Sequence, residues 1–146
     1  MNGPGAATKP IRLLLVDDQP AIRRGLKMRI ALEPDLEVVG EVGTATEAIP
    51  LAQALLPDVV LMDIEMPSME GISAIAALRR VVPHSAVVLF TLYDNAAMRA
   101  RAREAGAAAL VAKHQTEVAL LAAIRRAAKA YREEEHEDDM RDGGDR

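Results

Sequence analysis

The sequence contains no cysteine and no tryptophan, and only one phenylalanine and two tyrosines occur among its 146 residues. The lack of cysteine excludes disulfide bonds and thiolate metal sites. No apolar run approaches the ~18 residues that a membrane-spanning helix needs. The first residues, Met1–Gly5, also lack the basic and hydrophobic segments of a secretory signal. These absences predict a soluble protein of the cytoplasm, without contact with a membrane.

The net charge of −4 is unevenly distributed along the chain. Residues 132–146 hold eight acidic residues and three arginines (−5), whereas residues 1–131 hold 14 acidic and 15 basic residues (+1). A highly charged segment with few apolar residues cannot bury enough surface to fold alone. We therefore predict a disordered acidic tail or the start of a linker at 132–146. We also predict a disordered leader at 1–10. The nearly neutral body does not favour nucleic-acid binding.

Aliphatic residues are abundant, and half of the chain is apolar, which is enough for one domain at 11–131. Helix-like segments alternate with short apolar runs, which predict strands at 11–16, 36–42, 58–62, 86–90 and 108–112. This alternation is typical of an α/β fold whose parallel sheet carries helices on both faces. Pro50 should kink the second helix or delay its start. The last helix should run from Thr116 to about Tyr131 and pack through Val118, Leu121 and Ile124.

Polar residues follow four of the predicted strands: Asp17 and Asp18, Asp63, Thr91, and Lys113. The carboxyl ends of parallel strands meet at one edge of a sheet, where such folds bind ligands. Carboxylates ~4 Å apart repel each other by about 4 kcal/mol at an effective dielectric constant of about 20. A divalent cation such as Mg²⁺, which prefers oxygen ligands, relieves that repulsion. The pattern predicts a site for a cation and a phosphoryl group.

The segments that carry these residues resemble the receiver domain of two-component response regulators. They are Leu14-Leu15-Val16-Asp17-Asp18, Asp58 to Gly71 around Asp63, Phe90-Thr91 and Val111-Ala112-Lys113. Arg23-Arg24-Gly25-Leu26, Glu37-Val38-Val39-Gly40 and Thr91-Leu92-Tyr93-Asp94 are similar to receivers that precede a helix-turn-helix effector. The resemblance covers about 11–131. It implies a doubly wound, flavodoxin-like sheet of five parallel strands in the order 2-1-3-4-5.

The resemblance also implies a role for each strand-end residue. Asp63 would be the phosphoacceptor and would take its phosphoryl group from the histidine of a sensor kinase. Asp17 and Asp18 would bind Mg²⁺ together with Asp63 and the backbone carbonyl of Glu65. Lys113 would pair first with Asp63 and then with the phosphoryl oxygens. The chain would catalyse no reaction beyond its own phosphorylation and dephosphorylation.

Thr91 would carry the switch by moving its hydroxyl to the phosphoryl group. The sequence departs from the family pattern at Leu110, where an aromatic residue is common, and at His114, where proline is common. Leu110 and Tyr93 are therefore candidate switch residues, and Tyr93 and Glu65 are candidates for tuning phosphorylation. The output would be a change in self-association, such as a homodimer, or in partner binding, within transcription regulation.

Several alternatives remain open at the level of sequence. The chain is either a receiver that acts alone or part of a regulator that contacts DNA through an effector domain not contained in this sequence. An atypical receiver that signals without phosphorylation would keep the same residues. A Mg²⁺ phosphatase with an aspartate nucleophile would use Asp63 with Glu65. A nucleotide- or flavin-binding module is disfavoured because Asp17 and Asp18 would repel a phosphate.

Overall fold

The computed structural model describes residues 9–64, 69–92 and 95–144, with backbone only at 64, 69–70 and 134–144. Strands and helices alternate in the described chain. The elements are β1 (Ile11–Val16), α1 (Pro20–Ile30), β2 (Leu36–Val42), α2 (Ala45–Leu55), β3 (Val59–Ile64), α3 (Met69–Val81), β4 (Ala86–Thr91), α4 (Ala96–Ala105), β5 (Ala109–Ala112) and α5 (Glu117–Gly144). None of the described helices is both long and apolar enough to cross a membrane.

The five strands form one parallel sheet in the order β2-β1-β3-β4-β5, which confirms the predicted fold. The central strands are almost continuously apolar because helices cover both faces of the sheet. One face packs against α1 and α5, and the other packs against α2, α3 and α4. This packing places the carboxyl ends of β1, β3, β4 and β5 at a single edge.

Local side chains cap the starts of α2, α4 and α5. Thr44 accepts a hydrogen bond from the Glu47 backbone N–H (3.1 Å) and donates its hydroxyl proton to the Glu47 carboxylate (3.0 Å), so its side chain caps the start of α2. The side chains of Asn95 and Thr116 accept similar bonds at the starts of α4 and α5. Gly106 ends α4 in the left-handed region at φ 110°.

Two local predictions are wrong, and one alternative of a third is excluded. Pro50 does not delay α2, which begins at Ala45, and a kink at Pro50 stays a prediction. The proline is exposed, so water can bind the backbone carbonyl that its missing N–H leaves free. β3 continues to Ile64 because it pairs with β4 as far as Thr91, so Asp63 lies within the strand. Val118 is 70% exposed and does not join Leu121 and Ile124 in the core.

The last helix is also longer than predicted, because α5 continues past Tyr131 to Gly144. Residues 133–144 are mostly charged residues, and several of them are good helix formers. Arg132, expected in the tail, donates hydrogen bonds to the Asp58 carboxylate (3.0 Å) and the Pro10 carbonyl (3.2 Å). The acidic tail, expected to be disordered, is therefore helical as far as Gly144. The division of the chain at residues 10 and 131 stays a prediction.

Candidate functional site

The structure brings the predicted strand-end residues to one edge of the sheet. Asp17 directly follows β1, Asp63 is the penultimate residue of β3, Thr91 ends β4, and Lys113 directly follows β5. The Lys113 backbone N–H donates to the Thr91 carbonyl at 2.7 Å, which fixes the loop after β5 against β4. The side chains of Asp17, Asp63 and Lys113 interact with one another at this edge.

Asp63 and Lys113 form a buried ion pair. The Lys113 Nζ lies 2.5 Å from the Asp63 Oδ1, and the two side chains are only 12% and 2% exposed, respectively. The Nζ also lies 5.7 Å from the centre of the Phe90 ring. The ammonium therefore engages the Asp63 Oδ1, whereas the Oδ2 is buried without a hydrogen-bond partner among the described residues. Lys113 thus supplies positive charge at one oxygen and leaves the other available.

Asp17 is held by one of its two carboxylate oxygens. Its Oδ1 accepts a hydrogen bond from the Gln19 backbone N–H at 2.9 Å, whereas its Oδ2 is buried without a partner in the described chain. Two buried carboxylate oxygens, the Asp17 Oδ2 and the Asp63 Oδ2, therefore have neither a hydrogen bond nor an ion pair within the described chain. Buried polar atoms are nearly always hydrogen-bonded, because an unpaired one costs about 1–3 kcal/mol. Such a group of acceptors is suited to a cationic ligand.

The environment of Asp63 raises the pKa of its carboxyl group to about 7. Burial is the largest cause, because it penalises the charged form, and the neighbouring Asp17 carboxyl raises this pKa further. Lys113 opposes both effects. A cation bound between the two carboxylates would replace the proton and keep Asp63 ionised at neutral pH.

The donor set fits Mg²⁺, a hard cation that takes a few carboxylate oxygens and completes its shell with water or phosphate. Asp17 and Asp63 would supply these oxygens. Asp18 is exposed, and Glu65 lies outside the described residues. Within 9–64, 69–92 and 95–144, no group of three or more His, Asp or Glu residues is placed to hold a metal ion. The described site therefore offers a pair of carboxylates, with further ligands left to water or substrate.

Sequence reasoning missed the contribution of Arg23. Its guanidinium donates a hydrogen bond to the Asp17 backbone carbonyl, and its Nε lies 3.0 Å from the Glu41 carboxylate on β2. The arginine therefore ties the loop after β1 to the neighbouring strand. The sequence did contain a signal for this role. The positive end of the helix dipole disfavours a cation in the first turn of a helix such as α1, so an arginine there indicates a compensating contact.

The remaining predicted residues have different surroundings. Thr91 is buried (2% exposed) at the end of β4. Leu110 is half-buried opposite Leu89 and packs against the core on the α4 side of the sheet. His114 is exposed, and its peptide bond to Lys113 is trans, since the described residues contain no cis peptide. Tyr93 lies outside the described residues.

The chain is similar to proteins of two-component signalling. The family model described as the response regulator receiver domain matches residues 13–125. Over 119 residues, 82% of this chain, it is 36% identical to the uncharacterized transcriptional regulatory protein YxjL of Bacillus subtilis. It is 34% identical to the nitrate/nitrite response regulator protein NarL of Escherichia coli, also over 82% of its length. The chain spans 55% and 56% of these two relatives, about half their length.

A solved structure shows the same fold. The signal receiver domain of the putative response regulator NarL from Mycobacterium tuberculosis superposes with a TM-score of 0.76 at 33% sequence identity. The similarity covers 84% of this chain and 98% of that domain. A LuxR-family two-component response regulator from Aurantimonas gives a TM-score of 0.78, also at 33% identity, over 84% of this chain and 87% of that one.

Proposed function

Because the chain belongs to the response-regulator receiver family, we propose that Asp63 accepts a phosphoryl group from the phosphohistidine of a sensor kinase. The main support is the state of its carboxylate, which is buried beside the Lys113 ammonium and keeps one oxygen, Oδ2, without a hydrogen-bond partner in the described chain. The lone pairs of that oxygen are available to attack phosphorus. A buried carboxylate oxygen without a hydrogen bond is uncommon in proteins, which favours a functional role.

The transfer needs positioning and charge neutralisation more than it needs covalent help from the protein. An Asp63 oxygen forms a bond to phosphorus while the N–P bond breaks, and the electron pair of that bond returns to the histidine ring. The Lys113 ammonium, now beside Asp63, neutralises charge on the phosphoryl oxygens. The Thr91 hydroxyl donates a hydrogen bond to one of these oxygens. Hydrolysis of the acyl phosphate by water reverses the modification.

Asp17 and Asp63 would hold Mg²⁺, and Asp18 and the backbone carbonyl of Glu65 are proposed as further ligands. When bound, Mg²⁺ supplies charge neutralisation for the phosphoryl oxygens. The fit rests on the Asp17 Oδ2 and the Asp63 Oδ2, which are buried without hydrogen-bond partners in the described chain. Arg23 supports this arrangement because its bond to the Asp17 carbonyl fixes the loop that carries both Asp17 and Asp18.

The proposed output is a shift of the face formed by α4, β5 and α5 between two states, which changes self-association or partner binding. Thr91 would carry the change as its hydroxyl moves to the phosphoryl group, and Leu110 would follow because it lies on the neighbouring strand. Glu65 and Tyr93 are proposed to tune the rates of phosphorylation and dephosphorylation. No observation favours a phosphatase or a phosphorylation-independent receiver over this function.

At the level of the whole protein, we propose a cytoplasmic role in transcription regulation. The support is that several matched relatives bear the names of transcriptional regulators. A sensor histidine kinase would be the phosphoryl donor, and DNA would be contacted only through an effector domain. The chain would have no enzymatic activity beyond its own phosphorylation and dephosphorylation.

Beryllium fluoride, which binds a carboxylate as a stand-in for a phosphoryl group, tests the site directly. In amide NMR spectra with Mg²⁺, we expect it to shift the signals of Asp63, Thr91 and Lys113. Asp63→Asn should abolish these shifts, and Asp35→Asn, which removes a carboxylate at the opposite edge of the sheet, should keep them. Unchanged spectra of the folded wild-type chain would refute the assignment of Asp63.

A further inference from the structure

A cavity between α4 and α5 is lined by three arginines. Arg99 and Arg103 on α4 and Arg126 on α5 surround a volume of about 280 Å³, with residues 107–110 as its floor. The Arg103 and Arg126 side chains are exposed and form no ion pair or side-chain hydrogen bond with any described residue. Within the described chain no carboxylate pairs with Arg103 or Arg126, so these two like charges on one concavity repel each other unless an anion joins them. We call this feature the arginine cavity.

We propose that the arginine cavity binds the acidic stretch Glu133–Asp139 of a second copy of this chain. Six of these seven residues are acidic, and the seventh is His136. Residues 1–132, by contrast, hold 14 acidic and 16 basic residues and carry +2. The chain therefore contains both a dense anion and a cavity of complementary charge, and neither is used by the phosphoryl site.

The acidic stretch cannot reach the cavity of its own chain. Arg126 and the stretch lie on the same continuous helix, α5. At ~1.5 Å per residue the stretch lies about 10–20 Å beyond Arg126 along the helix axis. Arg132 fixes this direction through its bonds to Asp58 and the Pro10 carbonyl. The acidic stretch can therefore fill only the cavity of another molecule.

In a dimer with a twofold axis, both copies would make the same contact. If the stretch of one copy lies on the cavity of its partner, the same rotation returns the partner's stretch to the first cavity. The contact then closes as a dimer and does not continue as a chain. Because the interacting groups are charged and exposed, the dimer should depend strongly on ionic strength.

Charge reversal separates this dimer from other forms of association. We would prepare the full chain as Arg103→Glu/Arg126→Glu, which reverses the cavity, and as Glu133→Arg/Glu137→Arg, which reverses one face of the stretch. Arg24→Glu/Arg80→Glu is the matched control for the first variant, because it makes the same change in net charge at exposed positions on α1 and α3. Circular dichroism establishes that each variant is folded.

The measurement is sedimentation velocity of these chains at ionic strengths of about 0.01 M and 1 M. The Debye length falls from about 30 Å to 3 Å between these two conditions. We expect a wild-type dimer at low salt whose dissociation constant rises by about tenfold or more at high salt. Each reversed variant alone should be monomeric, an equimolar mixture of the two should restore a heterodimer, and the control should remain dimeric.

Three results would overturn the proposal: a wild-type chain that is monomeric at low salt, a dimer that survives either reversal, or a mixture that fails to associate. A monomeric wild-type chain that binds an added acidic peptide would instead assign the cavity to a different partner. Asp63→Asn should dimerise like the wild type at low salt, so this test stands or falls separately from the proposed phosphorylation.

Discussion

At the scale of single residues, Asp63 accounts for most of the chemistry of the site. It is a carboxylate within a buried strand, and it is 2% exposed beside one ammonium group. The neighbouring Asp17 adds negative charge, so the two carboxylates repel each other unless a cation or a proton is bound. A site of this kind is stabilised by its ligands and not by its own contacts.

The raised pKa of Asp63 gives a pH dependence whose sign can be stated. The carboxyl pKa rises from 3.8 to about 7 on folding, so the folded chain binds more protons than the unfolded chain between these values. Stability from this group is therefore complete below about pH 4 and is lost as the pH rises through 7. In urea unfolding without Mg²⁺, Asp63→Asn should be more stable than the wild type by about 1–2 kcal/mol at pH 8.

Two controls accompany that measurement. The advantage of Asp63→Asn should shrink toward pH 4, and Mg²⁺ should stabilise the wild type more than the variant at pH 8, because ligand binding to the folded state adds stability. If the stability difference between Asp63→Asn and the wild type did not change between pH 4 and pH 8, the pKa of the Asp63 carboxyl group would not be raised.

At the scale of elements, the sequence predicts the sheet and the strand-end residues because both depend on local sequence patterns. Alternating apolar runs and helix caps such as Thr44 are readable in the sequence, and the geometry of parallel strands then places Asp17, Asp63 and Lys113 together. The position of Arg23 in the first turn of α1 indicates that its charge has a partner, but the sequence does not identify Asp17 as that partner, because the bond depends on how α1 lies beside β2. The exposure of Val118 likewise depends on where α5 meets the sheet.

Gly106, at the end of α4, and Gly25, within α1, make a matched test of how backbone position decides the effect of a glycine. Gly106 has φ 110°, and a Cβ there would lie 2.5 Å from the Arg79 Cγ, so Gly106→Ala should lower the free energy of unfolding by about 1–2 kcal/mol. Gly25 is exposed within α1 and has open space around it, so Gly25→Ala should raise that energy by about 0.5–1 kcal/mol. Urea unfolding would measure both, and equal effects of the same sign would contradict this reading.

At the scale of the whole molecule, ion pairs fasten α5 to the rest of the domain. Arg125 on α5 contacts Glu33 at 2.6 Å and Asp35 at 2.8 Å, between α1 and β2. The pKa of the Glu33 carboxyl is lowered by hydrogen bonds from Arg29 and Arg125, and that of Asp35 is lowered by Arg125. These contacts hold α5 against the segment between α1 and β2.

Adjacent arginines allow that role to be tested. Arg125→Ala should lower the free energy of unfolding by about 0.5–1 kcal/mol, because exposed ion pairs contribute little each. Arg126→Ala, which removes no ion pair with a described residue, should change it by less than about 0.5 kcal/mol. The difference should shrink in high salt during urea unfolding, and an equal loss in both variants would contradict the assignment.

Transfer from a small acyl phosphate, read by intact mass, tests the central claim most directly. With Mg²⁺ present, the wild-type chain should gain one phosphoryl group that is stable in acid and labile in base. Asp63→Asn should gain none, whereas Asp35→Asn should gain it as the wild type does. A folded wild-type chain that gains no phosphoryl group, or an adduct that persists in Asp63→Asn, would contradict the account.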